Sequence, residues 1–338
     1  GDLEARTGGS SYDRRLVTGL RVLGWAVRVH SLDPSFPMPT PAAVAGAARV
    51  LDTIDDGALV VIDGLALGAM PRIVAPHRDR LRLVALVHHP LALETGLSPS
   101  RAERLRASET AALHQVRRVI VTSPFTARLL GDFGVASDRI RVVLPGTDPA
   151  PVAPGSTGGP VEMLCVGAVT PRKGQMQLID ALATLTHLHW RLSLVGSLER
   201  SPVTAAALRA RITRHGLDGR VRLLGAVPDD VVDAWYAAAD LFVLPSLFEG
   251  YGMAYAEALA RGLPVLGTRG GAIPETVPPD AGILVEPGEP RVLAEALARL
   301  LTDAELRRRL RAGALRARAR LSRWDSTAAG FAAALADV

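Results

Sequence analysis

Short apolar runs recur along the chain, separated by stretches whose apolar positions fall three or four apart. In the first half, runs at 25–29, 58–62, 81–87, 119–122 and 140–143 read as buried strands. A helix is predicted over 12–23, where Tyr12, Leu16, Leu20 and Leu23 keep helical spacing. The pattern repeats with strands at 161–166, 190–195, 221–224, 241–244, 264–266 and 283–285. Helices over 291–301, 303–315 and 322–336 close the chain. Strands that are apolar from end to end, with helices between them, indicate parallel sheets covered on both faces. Residues 149–160, PAPVAPGSTGGP, offer little that packs and divide the two series. The expected organisation is an N-terminal domain at 1–150, a linker at 151–160, a C-terminal domain at 161–321 and a last helix within 322–338.

A length of 338 residues suits about two domains, and 48% hydrophobic content supplies two cores. Aromatics are scarce at 4%, so those cores rely on Leu, Val and Ala. The single cysteine, Cys165, falls in an apolar run and reads as a buried strand residue. One cysteine allows no internal disulfide, which is compatible with a cytoplasmic location. No run of about 18 apolar residues marks a membrane span, and no export signal is recognised at the start. The net charge of +5 comes from arginine, since Lys173 is the only lysine among 39 basic residues. Nucleic-acid binders pair basic patches with stacking aromatics, so no nucleic-acid partner is expected. The densest basic run, 305–323, reads as a helix with a solvated arginine face. Peripheral contact with an anionic membrane surface is the alternative.

The most informative stretch is 245–276, PSLFEGYGMAYAEALARGLPVLGTRGGAIPET. An apolar strand leads into a glycine turn, a short helix and a second strand, so backbone N–H groups point at whatever lies above the turn. Glu249 sits in the turn, and Glu257 follows after seven intervening residues, inside the helix. Carboxylates beside an anion cradle suit sugar and ribose hydroxyls rather than phosphate. The stretch resembles the donor-binding signature of the retaining glycosyltransferases of family 4. The matching positions are Pro245, Ser246, Glu249, Glu257, Gly262, Pro264, Val265, Gly270, Gly271 and Glu275, with Arg261 departing from the usual small residue. The resemblance implies a GT-B architecture: two doubly wound Rossmann-like domains facing a central cleft, with the final helix crossing back to the first domain. It also implies that Gly250, Tyr251, Gly252 and Met253 line the donor site, that Glu257 binds the ribose and that Glu249 binds the transferred sugar.

A second segment, CVGAVTPRKG at 165–174, places Arg172 and Lys173 after a strand end, where cations suit a pyrophosphate. Family members commonly carry an arginine where Ala168 stands, and Arg172 is expected to supply that charge. A Walker P-loop is excluded, because the order is Lys-Gly. A third segment, LVHHPLALE at 86–94, ends a strand in His88 and His89. The resemblance places a histidine near the transferred sugar, and His88 is the choice. Glu109 matches a recurring family glutamate with a structural role. Leu224 and Val227 are expected to contact the base through their backbone. In the family a first strand enters a glycine-rich loop facing the donor phosphates; the loop is expected at Thr7, Gly8, Gly9 and Ser10. Only six residues precede it, so about ten residues are expected to be missing from the start. No D-x-D occurs, and no Cys/His cluster suggests zinc.

The expected activity is transfer of a sugar from a UDP- or GDP-type nucleotide sugar to a hydroxyl acceptor, with retention and without metal or other cofactor. His88, Glu249 and Lys173 are the expected catalytic residues, and Gly8, Gly9, Arg172 and Lys173 hold the diphosphate. Two alternatives share the fold: a nucleotide-sugar epimerase, and a silent protein that binds sugar nucleotide without turnover.

Overall fold

The computed structural model describes residues 8–156 and 158–338. The chain forms two compact units, the first running to Gly146 and including Ser322–Val338, the second Thr147–Leu321. The first carries a four-stranded parallel sheet of β1 (Leu59–Asp63), β2 (Arg82–Val87), β3 (Arg118–Val121) and β4 (Ile140–Val142), in that spatial order. Its helices are α1 (Gly8–Val22), α2 (Pro41–Asp52), α3 (Gly64–Leu67), α4 (Pro71–Val74), α5 (Pro99–Leu113) and α6 (Pro124–Leu129). The second carries β5 (Val161–Val166), β6 (Trp190–Val195), β7 (Val221–Gly225), β8 (Leu241–Val243), β9 (Val265–Thr268) and β10 (Gly282–Val285). Its helices are α7 (Gln175–Ala183), α8 (Pro202–Arg214), α9 (Asp229–Ala238), α10 (Met253–Ala260), α11 (Ile273–Thr276), α12 (Pro290–Thr302) and α13 (Ala304–Arg318); α14 (Trp324–Ala336) returns to the first unit.

The apolar runs become strands because helices cover them on both faces. Leu83, Val84, Ala85, Val119, Ile120 and Val121 are wholly buried, as are Leu192, Leu241, Phe242 and Val243 in the second unit. Helix starts follow local chemistry. Thr40 accepts from Ala43 N ahead of α2, Ser123 caps α6, and Asp303 accepts from Leu306 N at the start of α13. Prolines at the first positions of α2, α5 and α6 need no N–H partner there.

Sheet order decides where a ligand can sit. In the second unit the order is β10-β9-β8-β5-β6-β7, all parallel. The chain winds from β5 outward through β6 and β7, then returns to add β8, β9 and β10 on the other side. The order reverses between β5 and β8, so the carboxyl ends of these neighbouring strands form the topological switch point, where sheets of this kind bind ligands.

Two expectations fail in the first unit. Residues 25–29 form no strand: they pair with no described neighbour, Trp25 and Val27 are half-buried, and Ala26, Arg28 and Val29 are exposed. An apolar run becomes a strand only where a neighbour takes up its N–H and C=O groups. Gly8, Gly9 and Ser10, expected as a loop, form the first turn of α1; Thr7 and the six residues before it lie outside the described residues.

Helix α14 packs on α1, where a side chain added at Gly19 would meet Ala328 Cβ at 2.5 Å. Thr327 Oγ1 donates to Leu144 O at 2.9 Å, and Trp324 meets Tyr12 edge-on with centroids 6.0 Å apart. The arginines of α13 are less free than a solvated face would require. Arg307 donates to Leu300 O and Leu301 O, Arg311 to Ala153 O, and Arg316 pairs with Asp280. No helix among the described residues is long and apolar enough to cross a membrane.

Candidate active site

The switch point in the second unit brings the predicted cations and one predicted glutamate together. Arg172 and Lys173 form a short 3₁₀ turn after β5, and Glu249 lies in the loop after β8. Lys173 Nζ is 2.6 Å from Glu249 Oε1, and Arg172 Nη1 is 2.9 Å from Oε2. Ser246 Oγ donates to Oε1 at 2.6 Å, while Arg172 also donates to Phe248 O at 2.7 Å. The Glu249 side chain is almost wholly buried. Burial opposes its charge, but Lys173, Arg172 and the Ser246 hydroxyl outweigh that and hold its pKa at about 2. The sequence reading assigned cations and carboxylate to different parts of a ligand; here they neutralise one another.

Two glycines let these loops meet. Gly174, at φ +70°, closes the cationic turn, and a side chain there would strike Pro245 O. Gly271, at φ +68°, lies against the backbone of Glu249, to which Ala272 N donates at 2.8 Å. Leu247 N donates to Arg172 O at 2.7 Å, tying the two loops directly. Ala168 lies in the turn after β5, where Gln175 Nε2 donates to its carbonyl at 3.1 Å.

Glu257 lies on α10, half-buried, and accepts from Tyr236 OH at 3.1 Å. Burial raises its pKa against the opposing effects of Arg261 and Tyr236. Arg261, the departure from the family pattern, lies 4.4 Å from the centroid of the Tyr236 ring, pairs with Asp233 and donates to Glu257 O. It therefore ties α10 to α9 behind Glu257. Gly250, Tyr251 and Gly252 form the loop before α10, and Met253 begins that helix. Burial raises the Tyr251 phenol to about 12. Leu224 lies at the carboxyl end of β7 and Val227 in the turn before α9.

In the first unit His88 follows the carboxyl end of β2. Its Nε2 is 3.0 Å from Asp13 Oδ1 and 3.6 Å from Asp63 Oδ2. Tyr12 meets the ring edge-on at a centroid distance of 5.1 Å, and a Cβ added at Gly9 would lie 3.7 Å from Cδ2. Burial disfavours the imidazolium, but the Asp13 hydrogen bond and the charges of Asp13 and Asp63 prevail, raising the pKa. Burial pushes the Asp63 carboxyl up, with His88 opposing it. Sequence reading missed both aspartates. Asp13 lies four residues after Gly9 on the same face of α1, and Asp63 ends β1 opposite Leu86, two residues before His88. A polar residue ending an apolar strand was the available signal. The donor atoms of Asp13, Asp63 and His88 lie within 4.8 Å of one another, close enough to share a divalent cation. As they stand, the His88 ring lies between the two carboxylates, hydrogen-bonded to Asp13. Gly8 and Gly9 belong to α1 rather than to a separate loop, and Gly9 lies beside His88. His89 Nε2 lies 3.8 Å from Glu94. Glu109, buried, accepts from Leu91 N at 2.6 Å and Ala92 N at 2.8 Å, pinning the segment after His88 to α5.

The family model described as Glycosyltransferase Family 4 matches residues 6–151, and that described as Glycosyl transferases group 1 matches 160–303. The chain belongs to glycosyltransferase family 4. The chain is 33% identical over 220 residues to a D-inositol 3-phosphate glycosyltransferase of Corynebacterium efficiens, a match covering 60% of this chain and 52% of the relative. It therefore spans about half the length of that relative. It is 29% identical over 310 residues to an MMP alpha-(1->4)-mannosyltransferase of Mycolicibacterium hassiacum, covering 87% of this chain and 74% of the relative. Sucrose-phosphate synthase from Thermosynechococcus elongatus shares its fold, with a TM-score of 0.81 and 23% identity over 98% of this chain and 95% of that one. Anabaena HepE, solved with UDP-glucose, gives a TM-score of 0.75 at 23% identity over 95% and 89% of the two chains. The architecture is GT-B.

Proposed function

We propose that the protein moves a sugar from a UDP- or GDP-type nucleotide sugar to a hydroxyl acceptor, retaining the anomeric configuration and using no metal ion. The observation that carries this reading is the bridge from Lys173 and Arg172 to Glu249 at the topological switch point. A donor diphosphate bears more negative charge than one carboxylate, so it draws both cations from Glu249. The freed carboxylate then accepts hydroxyls of the transferred sugar. Glu257, oriented by Tyr236, takes the ribose hydroxyls. In the first unit His88 commits Nε2 to Asp13 and offers its other ring nitrogen to the sugar.

Charge grows on the diphosphate as the glycosidic bond breaks, so Lys173 and Arg172 stabilise the transition state more than the ground state. HepE with UDP-glucose and the glycosyltransferase names of the relatives support the donor class. A silent donor-binding protein is the second reading, favoured by Ala168 where the family's arginine is expected. Thermal-shift screening of UDP- and GDP-sugars, followed by assay for released nucleoside diphosphate over a hydroxyl acceptor panel, separates the two. Stabilisation with release supports transfer; stabilisation without release over the whole panel supports the silent protein.

A further inference from the structure

We infer that Gln175 is a positioning residue for the donor diphosphate: it holds the Gly167–Ala168 peptide so that the Ala168 N–H donates to a diphosphate oxygen. The inference rests on the glycosyl-transfer reading. It supplies a backbone contact at the position where Ala168 stands in place of the family's arginine.

Gln175 opens α7 directly after the cationic turn, and only 2% of it is exposed. Its Nε2 donates to Ala168 O at 3.1 Å and to Gly167 O at 3.4 Å. Two carbonyls facing one end of the carboxamide identify that end as the nitrogen. The other end is unserved: Oε1 is buried with no hydrogen-bond donor among the described residues. A buried acceptor without a donor is unfavourable, and an apolar side chain of the same shape would avoid it. Packing therefore does not account for a glutamine here. What the carboxamide adds is its grip on the two carbonyls.

The turn is also held from β6. Gly196, at φ +149°, packs against it, and a side chain there would strike Gly167 O. Gly167 N donates to Val195 O at 2.8 Å and Val169 N to Ser197 O at 2.9 Å. Between them, Ala168 N has no acceptor among the described residues, and Ala168 is half-buried. The C=O and N–H of a trans peptide point in opposite directions. With Gly167 O turned to Gln175, the Ala168 N–H faces away from it. The cation assigned to the diphosphate is close by, since a Cβ added at Gly167 would lie 3.5 Å from Cδ and Cε of Lys173. A backbone donor fixed in advance needs no reorganisation to meet the charge that grows on the leaving group.

The test measures UDP and GDP affinity by isothermal titration, together with thermal unfolding, for the full chain as wild type, Gln175→Met and Gln175→Glu. Gln175→Met keeps the shape but removes both the donor and the unserved oxygen. It should bind the preferred nucleoside diphosphate about 10-fold more weakly than wild type, with an unfolding midpoint equal to or above that of wild type. A residue needed only for packing would give the reverse, a lower midpoint with unchanged affinity. Gln175→Glu should bind weakly at about pH 8, where a carboxylate has no donor, and recover relative to wild type toward about pH 5, where a protonated carboxyl donates to Ala168 O. Ala168→Pro deletes the N–H itself and should weaken binding by a similar factor, with little further loss when Gln175→Met is added. If Ala168→Pro does not fold, the two Gln175 variants still decide. Wild-type affinity in Gln175→Met, or no recovery of Gln175→Glu at low pH, overturns the inference and leaves the glycosyl-transfer reading intact. Binding of neither UDP nor GDP by wild type overturns that reading and the inference with it.

Discussion

Lys173 Nζ touches Glu249 Oε1 at 2.6 Å across 76 residues of sequence, because β5 and β8 are neighbours in the sheet. The contact stores a cation where a diphosphate can claim it. Lys173→Ala should lower turnover on the order of 10²-fold, comparable to losing one oxyanion donor. Steady-state kinetics with a saturating donor measure it, and a wild-type rate would remove Lys173 from the chemistry.

Glu249→Ala and Glu257→Ala should differ in kind. The first loses the group that meets the transferred sugar, so turnover should fall severely in a folded protein. The second loses the ribose contact, so the donor KM should rise with a smaller change in kcat. Circular dichroism confirms folding, and the split between kcat and KM decides the roles. Arg172→Ala should also slow turnover, because Arg172 shares Glu249 with Lys173. If Ala168→Arg restores part of that loss, Arg172 stands in for the arginine at the family's position; a wild-type rate for Arg172→Ala refutes the substitution.

The two parallel-sheet domains were legible because buried parallel strands announce themselves by continuous apolar runs, and the family resemblance implied their GT-B arrangement. β5 and β6 coincide with the predicted runs 161–166 and 190–195. Residues 25–29 carried the same pattern but form no strand with any of the described residues, since sequence shows apolar content but not which backbone lies alongside. Arg172, Lys173 and Glu249 were legible as individuals through their motif. Their mutual neutralisation was not, because it depends on β8 returning beside β5. Asp13 and Asp63 escaped notice because each is polar in its own local setting, one on a helix and one at a strand end. Only the sheet brings them to His88.

Glu249 also couples the site to acid stability. Its folded pKa of about 2 lies below the ordinary glutamate value, so its stabilisation is complete above the unfolded pKa and is lost as pH falls toward 2. Chemical denaturation between about pH 5 and pH 2 should show a steeper loss for wild type than for Glu249→Gln. Parallel slopes would mean that the Lys173 and Arg172 contacts do not hold the carboxylate ionised.

For His88 the sign is opposite. Its raised pKa keeps the imidazolium to higher pH, and that form is lost as pH rises through the folded value. The groups facing the ring are Asp13 and Tyr12 from α1 and Asp63 from β1. If the imidazolium donates to the sugar, kcat/KM should fall on the alkaline side, and Asp13→Asn should move that fall to lower pH. An unmoved profile would assign Asp13 a purely structural role.

If Lys173 and Arg172 supply the positive charge that a metal would bring to a diphosphate, as proposed, activity should survive EDTA. Loss on chelation, restored by Mn²⁺ or Mg²⁺, would contradict this and direct attention to Asp13, Asp63 and His88.

The most direct measurement is ¹H NMR of the reaction with the nucleotide sugar and acceptor found by screening, run with wild type and Lys173→Ala. The account predicts a glycoside whose anomeric configuration matches the donor, formed together with nucleoside diphosphate and about 10²-fold more slowly by the variant. An inverted glycoside, a free epimerised sugar in place of a glycoside, or equal rates for the two proteins would contradict it.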